Sequence, residues 1–256
     1  VGSLIFDVGF NDGKDSLFYL GLGHRVVAVE ANPDLVQDAR QDPRFRPWLE
    51  SKQLILENLC IVNDTSDSAV FWKSVCNSEW SSIIKETGCR SCTPPHGTNM
   101  SACSAVTIGA SLCENIIRKH GTPHYLKIDI EGADQFCIEG LHRLDQASRP
   151  QMVSIEVSGD SVLETQLTLY NLGYSYFKLV QQSCYDQGTC SGPFGNTAKD
   201  CRAGYHWRDF DSVHQELAAL PTRPKSRSET CPGTMDVPGE FLYIWYDLHA
   251  AQNTAL

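Results

Sequence analysis

Carboxylates at the ends of apolar runs are the residues of this sequence whose types and spacing could do chemistry. In "FDVGFNDGKDSLFYLGLGHRVVAVEANP", residues 6–33, Asp7 closes a strand just before a glycine turn and Glu30 closes the next strand. Gly9 and Gly13 allow close backbone approach in that turn, and the helix after it offers free N–H groups. A carboxylate at the end of the second strand can accept both hydroxyls of a ribose. This places Glu30 on an adenosyl group; the competing reading is a solvated strand end. Further on, Asp129 and Glu131 alternate in "YLKIDIEG", so on an extended segment both face one way. A close carboxylate pair shares charge unfavourably, which raises one pKa toward base duty. Glu156 ends the following strand, "VSIEVS", and is expected to touch the same substrate.

The turn chooses among adenosyl ligands. A dinucleotide fold would read G-x-G-x-x-G and set a pyrophosphate on the helix end. Here the turn reads D-V-G-F-N-D-G, with Asp7 and Asp12 flanking it. Two carboxylates repel a pyrophosphate and suit the amino group and sulfonium of S-adenosylmethionine. The sulfonium methyl is already activated, so alignment is the protein's main task, worth about 7–11 kcal/mol at best. An alcohol acceptor also loses a proton, and a nearby base contributes about 10²–10⁴-fold. Asp129 is expected to be that base, with Glu131 second; the alternative for Glu131 is a cap on a helix starting at Ala133. A rival to the base is Mg²⁺, whose oxygen ligands would be Asp129, Glu131 and Glu156 and which would lower the acceptor's pKa. His24, His142 and His249 read as surface or packing histidines, and His206 as a loop histidine able to reach the site.

The elements that must position these groups alternate. "SLIFDVG", "RVVAVE", "LILENLCIV", "PHYLKIDIEG", "QMVSIEVS", "SYFKLVQQ" and "EFLYIWYDL" read as strands. Helices are expected near Lys14–Leu22, after Asn32 as cap with Pro33 at the first position, over "ADQFCIEGLHRL", and over "DSVLETQLTLYNLGY" with Leu163, Leu167 and Tyr170 on one face. Such alternation implies a doubly wound parallel sheet covered on both faces. Two stretches break it, roughly 71–104 and 183–239, both rich in Cys, Gly, Pro, Ser and Thr. They read as long insertions in a single domain spanning 1–256. The second leaves the carboxyl edge of the sheet, where ligands bind in open α/β folds, and is expected to cover it.

"YLKIDIEGADQFCIEGL", Tyr125 to Leu141, closely resembles the signature of the FkbM family of S-adenosylmethionine-dependent methyltransferases: Lys-Ile-Asp-hydrophobic-Glu-Gly, then an acid and a Leu/Ile-x-Gly. "FDVGFNDG", "VVAVEANPDLV", "VSIEVS" and "LGYSYFKLV" follow in the family's order. The resemblance implies a class I methyltransferase (Rossmann-like) sheet of seven strands, the last antiparallel, and methyl transfer, usually to a hydroxyl oxygen. It also implies that Asp7, Gly9, Asn11 and Gly13 line the methionine part of the cofactor, that Glu30 binds its ribose, that Asn58, Leu59, Cys60 and Ile61 flank the adenine, and that Asp129 and Glu131 face the reaction centre. One departure is visible. The family's "T-L-D-x-L" before the fourth strand is "TIGASL" here, with Gly109 and Ala110 where the acid would stand.

Composition bounds the rest. The 256 residues are 41% hydrophobic with a formal charge of −10, enough for one sizeable core and unsuited to broad nucleic-acid binding. No apolar run approaches the ~18 residues that cross a bilayer, so a soluble chain is expected. It begins in a strand without an initiator Met, and a preceding segment, with any targeting signal, is expected to be missing. Of eleven cysteines, Cys60, Cys113 and Cys137 fall in predicted elements and read as buried free thiols. Cys76, Cys89, Cys92 and Cys103 share the first insertion, and Cys184, Cys190, Cys201 and Cys231 the second. Disulfides within each quartet are expected, hence the secretory lumen or the exterior, with the cytoplasm as alternative; a zinc site on the first quartet or free thiols are the other readings. Sequons at Asn63 and Asn99 agree with secretion. Three functional classes remain: an O-methyltransferase acting on a small molecule, sugar, glycan or lipid-like alcohol; an inactive cofactor-binding module, suggested by the acid absent near Gly109; and a nicotinamide-dependent oxidoreductase, disfavoured by the absent G-x-G-x-x-G. Trp72, Trp80, Tyr205 and Trp207 in the insertions suit sugar faces.

Overall fold

Near-continuous burial marks the first two strands: every residue of β1 (Leu4–Val8) after Leu4, and every residue of β2 (Arg25–Glu30) after Arg25, is buried. Strands of this kind belong to a parallel sheet covered on both faces. In the computed structural model they lie in one. The structure describes residues 2–93, 97–157, 161–181, 207–219 and 246–252, which fall into two compact units, Val1–Pro150 and Gln151–Leu256.

In the first unit β1 leads to α1 (Lys14–Gly21), β2, α2 (Pro33–Gln41), α3 (Arg46–Glu50), β3 (Leu54–Asn58), β4 (Cys60–Ile61) and β5 (Ser68–Ser74). Then come α4 (Lys85–Gly88), β6 (Cys103–Ser111), α5 (Cys113–His120), β7 (Tyr125–Ile128) and α6 (Gln135–His142). Its main sheet runs β7-β1-β2-β3, all parallel. The register sets the chemistry: Asp7 lies opposite Lys127, and Glu30 opposite Asn58. Asn32 caps α2 as expected, its side chain accepting from the Asp34 N–H with Pro33 in the first turn.

"LILENLCIV" is not one strand. It leaves the main sheet after Asn58, and Cys60–Ile61 joins a second sheet of order β4-β6-β5, in which β6 pairs parallel with β4 and antiparallel with β5. Gly109 and Ala110, where the family's acid would stand, lie on β6, with Ala110 opposite Cys60. The first insertion therefore begins and ends inside strands: β5 and β6 form its stem, and residues between Ser74 and Cys103 are its body.

In the second unit β8 (Met152–Val157), α7 (Ser161–Asn171), β9 (Tyr176–Gln181), β10 (Arg208–Asp209), α8 (Phe210–Ala218) and β11 (Tyr246–Ala251) follow. The order is β10-β9-β11-β8, and β11, the last strand, runs antiparallel to both neighbours as expected. Each unit thus brings four strands to its main sheet, one more in total than seven because β10 adds to the outer edge of β9. β10 and α8 fall inside the stretch expected as the second insertion. The rest of that insertion, its four cysteines, Tyr205 and His206 included, lies outside the described residues. On α7 the buried face is Val162, Thr165, Gln166 and Leu169, whereas Leu167 and Tyr170 are 48% exposed. The reason is α8: the Gln166 amide donates to the Phe210 carbonyl and the Tyr170 ring meets Phe210, so a polar stripe is the packed one. No helix among the described residues is long and apolar enough to cross a membrane.

Disulfides join Cys76 to Cys92 and Cys89 to Cys103, both within the first quartet, as expected. A third, Cys113–Cys137, corrects the reading of those two as free thiols. Both sit in the elements predicted for them, but α5 and α6 pack against each other and bring their Cα atoms to 5.0 Å. Buried Glu114 ties the same helices by accepting from Arg143. Cys60 is free and buried, as expected. Non-reducing peptide mapping should recover the Cys113–Cys137 cross-link. Replacing both residues by alanine should lower unfolding free energy by about 2–4 kcal/mol, the usual contribution of closing such a loop. Unchanged denaturant midpoints would show that the bond carries no stability.

Candidate functional site

Lys127 is the centre of the site in the first unit. The strand β7 delivers it opposite Asp7, and its Nζ lies 3.3 Å from Asp7 Oδ1, 2.9 Å from Asp15 Oδ2 and 3.4 Å from Asp129 Oδ2. It also donates to the Gly9 carbonyl at 3.3 Å. Burial alone would lower this ammonium, but Asp7, Asp129 and Asp15 outweigh it and hold it well above the usual lysine range. Asp7 is fully buried; its second oxygen accepts from Ser16 Oγ at 2.6 Å, and burial pushes its carboxyl upward against the pull of Lys127. Asp12, expected beside Asp7, instead turns outward and pairs with Lys14 at 2.6 Å. The acid that joins Asp7 is Asp15, in the first turn of α1.

The glycine turn is held from both sides. Gly9 has φ +99°, and a Cβ there would sit 1.8 Å from the Asp129 carbonyl oxygen, so only glycine lets the turn after β1 touch the segment after β7. Asn11 sits in the left-handed region at φ 48°, a conformation asparagine tolerates. Its N–H donates to Glu30 Oε2 at 2.8 Å, and the Asn32 N–H donates to Glu30 Oε1 at 2.7 Å. Glu30 is therefore no solvated strand end. It is 7% exposed, and burial raises its carboxyl while the two backbone donors pull it back. Each oxygen keeps a lone pair for a further donor. Asn58 fixes the neighbouring loop by donating to the Glu30 carbonyl at 2.9 Å; Leu59 follows, and Cys60 and Ile61 turn into β4.

After β7 the chain does not stay extended, which corrects the alternation argument. Asp129 follows the last strand residue, its N–H still donating to the Val8 carbonyl, but Glu131 has φ 53° and Gly132 φ 91°. Asp134 holds this turn, one oxygen accepting from Ile130 and the other from Gly132. Helix α6 starts at Gln135 after Asp134, so Glu131 is not its cap. Asp129 remains 43% exposed at its side chain. Glu131 is pushed up to about 8, by burial first and then by Asp129 and Asp134.

The body of the first insertion lies along both turns. Ser78 Oγ reaches Asn11 Oδ1 at 3.5 Å, and Ser82 Oγ donates to the Glu131 carbonyl at 2.7 Å. Arg90 stacks over Trp80 at 5.2 Å and Lys85 over Trp72 at 5.3 Å. Sequence reasoning had given the covering role to the second insertion, of which only residues 207–219 are described. It also missed Lys127, Asp15 and Ser82. The signal for Lys127 was present, two residues before Asp129 on a strand; that for Ser82 was not.

Glu156 belongs to the second unit, on β8 opposite Asp247. His24 accepts from the Ser3 N–H, His142 is exposed at the end of α6, and His249 is buried in β11, where burial and then Lys178 lower it well below the histidine range.

Three carboxylates surround one ammonium, and the buried Glu30 closes the neighbouring strand. A family model described as the methyltransferase FkbM domain matches residues 7–176. No curated protein matches the chain. Among solved structures it is similar to the C-terminal domain of precorrin-6Y C5,15-methyltransferase from Rhodobacter capsulatus, at 9% identity, covering 98% of this chain and 81% of that one, with a TM-score of 0.42. It is similar also to precorrin 8w decarboxylase from Methanobacterium thermoautotrophicum (10% identity, 98% and 82% covered, TM-score 0.41) and to StiE O-MT residues 961–1257 (9%, 98% and 68%, TM-score 0.41). These likenesses are too distant to carry an argument. The family match spans well over half of the 256 residues and includes both turns around Lys127, and the chain belongs to the methyltransferase FkbM domain family, whose methyl donor is S-adenosylmethionine.

Proposed function

We propose that this chain methylates a hydroxyl oxygen on a small molecule, sugar or glycan. The observation that carries the reading is Glu131: a half-buried carboxyl pushed up to about 8, next to Asp129 and adjoining the Gly9 turn. S-adenosylmethionine supplies an activated methyl group when bound. In this reading Glu30 accepts the ribose hydroxyls, Asn58, Leu59, Cys60 and Ile61 flank the adenine, and the turn with Gly9, Asn11 and Gly13 receives the methionine part. Asp7 acts there through Lys127. The surplus of carboxylate over ammonium favours the amino group and the sulfonium.

Glu131 then takes the acceptor proton. As the oxygen–methyl bond forms and the sulfur–methyl bond breaks, the hydroxyl proton passes to the Glu131 carboxylate, leaving the methyl ether and S-adenosylhomocysteine. A base with a pKa near the working pH suits this step. Asp129, more exposed and 3.4 Å from Lys127, positions the acceptor beside it. The sequence alone favoured Asp129 as base; the left-handed turn and the burial of Glu131 favour the reverse.

We also infer that the chain works in an oxidising compartment, the secretory lumen or the exterior. Three disulfides and an exposed sequon at Asn63 support this. Expression through a eukaryotic secretory pathway should add a glycan at Asn63, seen as a mass loss on peptide N-glycosidase treatment that Asn63→Gln abolishes. A chain without that glycan would remove this support.

Two measurements test the site. Glu30→Ala should weaken S-adenosylhomocysteine binding by about 1.5–3 kcal/mol in calorimetry. Unchanged affinity would take Glu30 off the ribose. For Glu131, turnover should rise with pH through about 8 as the carboxyl ionises, and Glu131→Gln should flatten that rise and lower kcat by about 10²–10⁴-fold. The same group sets a stability signature. Its folded-state pKa is raised from 4.5 to about 8, so the native state holds the proton more tightly and stability falls as pH rises between those values. Glu131→Gln should therefore melt higher than the parent at pH 9 and alike at pH 4. A parent with no such pH dependence would show that Glu131 ionises normally.

A further inference from the structure

Arg90 makes no salt bridge among the described residues, in a chain of net charge −10. Its guanidinium makes no hydrogen bond there either, although its charge acts on the Glu131 carboxyl. Its guanidinium carbon lies instead over the Trp80 ring, 5.2 Å from the centroid. A guanidinium stacked on an aromatic face keeps its in-plane N–H donors free and pre-aimed, the geometry that takes carboxylate or phosphate in bidentate fashion. Its position is built rather than incidental. Arg90 follows Cys89, bonded to Cys103, and precedes Cys92, bonded to Cys76, and it bridges to Thr98. Trp80 sits between Ser78, which reaches Asn11 of the glycine turn, and Ser82, which holds the Glu131 carbonyl. The stacked pair is thereby moored to the two turns that carry the methyl-transfer chemistry.

We propose that Arg90, supported by Trp80, is the anion-recognising residue of the acceptor subsite, so that the acceptor is a hydroxyl compound bearing an oxyanion close to the hydroxyl that is methylated. The inference rests on the methyltransferase reading of the same site. The charge logic supports it: Asp129, Asp134 and Glu79 act with one sign on the Glu131 carboxyl, and Arg90 is a cation that opposes them there. An anionic acceptor is thus bound in one orientation. A neutral acceptor would make no charge-assisted bond to the guanidinium. The oxyanion has two sources, a carboxylate as in a uronic acid or a phosphate ester, and their shared chemistry is what Arg90 reads.

The test is calorimetric titration of the protein saturated with S-adenosylhomocysteine, using methyl glucuronide, glucose 6-phosphate and methyl glucoside as probes. At least one anionic probe should bind tenfold or more tightly than the neutral glucoside, and which one does so names the source. Arg90→Gln should erase that preference, and Arg90→Lys, which keeps charge but loses the fork, should recover only part of it. Both variants should bind S-adenosylhomocysteine as the parent does, which also shows that they are folded. Retained cofactor-product binding with no preference for either anion, or a preference that survives Arg90→Gln, overturns the inference alone. A parent that does not bind S-adenosylhomocysteine overturns the reading of the site and this inference with it.

Discussion

The ammonium of Lys127 reaches three carboxylates that come from three different segments: Asp7 at the end of β1, Asp15 in the first turn of α1 and Asp129 just after β7. None of these segments could bring its acid to that spot alone, because close carboxylates repel and burial penalises each charge. The cation makes the assembly possible. Removing one partner from a buried ion pair costs about 3–5 kcal/mol in comparable settings, since the remaining charges are left unpaired. Here one removal would strand more than one acid. The arrangement sets three carboxylates against one ammonium.

From that centre the remaining contacts spread outward as a chain of backbone constraints. Gly9 presses against the Asp129 carbonyl; Asn11 hangs from Glu30; Glu30 holds Asn32 at the cap of α2; Ser78 and Ser82 lay the first insertion across both turns. Parallel strands β1, β2 and β7 supply the rigid floor, fully packed with Ile5, Phe6, Val27, Leu126 and Ile128. The groups proposed for chemistry stand on short turns, yet each turn is tied to a strand end by at least one hydrogen bond. Rigid strands with tied-down turns are how this fold keeps precise geometry on nominally loose segments.

Much of this was legible because period and punctuation are local. Most strands and the Asn32 cap with Pro33 follow from neighbours within a few residues. The antiparallel last strand and the first-quartet disulfides were also readable, the former by family resemblance and the latter by cysteine count. What could not be read depends on distance along the chain. Cys113 and Cys137 meet because two helices pack, Lys127 meets Asp15 because a strand crosses beside a helix start, and Leu59 marks a change of sheet that no propensity announces. The reversal between Asp129 and Glu131 has a subtler cause. Alternation is a property of extended backbone, and the left-handed φ of Glu131 abolishes it three residues after the strand ends.

Cys60 sits almost wholly buried at the start of β4, where desolvation and then the charge of Glu30 push its thiol up to about 12. Only on the order of one molecule in 10⁵ would carry a thiolate there at neutral pH, and the thiolate is the species that attacks disulfides. An odd number of cysteines ordinarily invites scrambling during maturation. Here the carboxylate proposed to bind the ribose also keeps the unpaired sulfur chemically silent, so once the first unit closes, its three cross-links are shielded from exchange by a neighbour that takes no part in them.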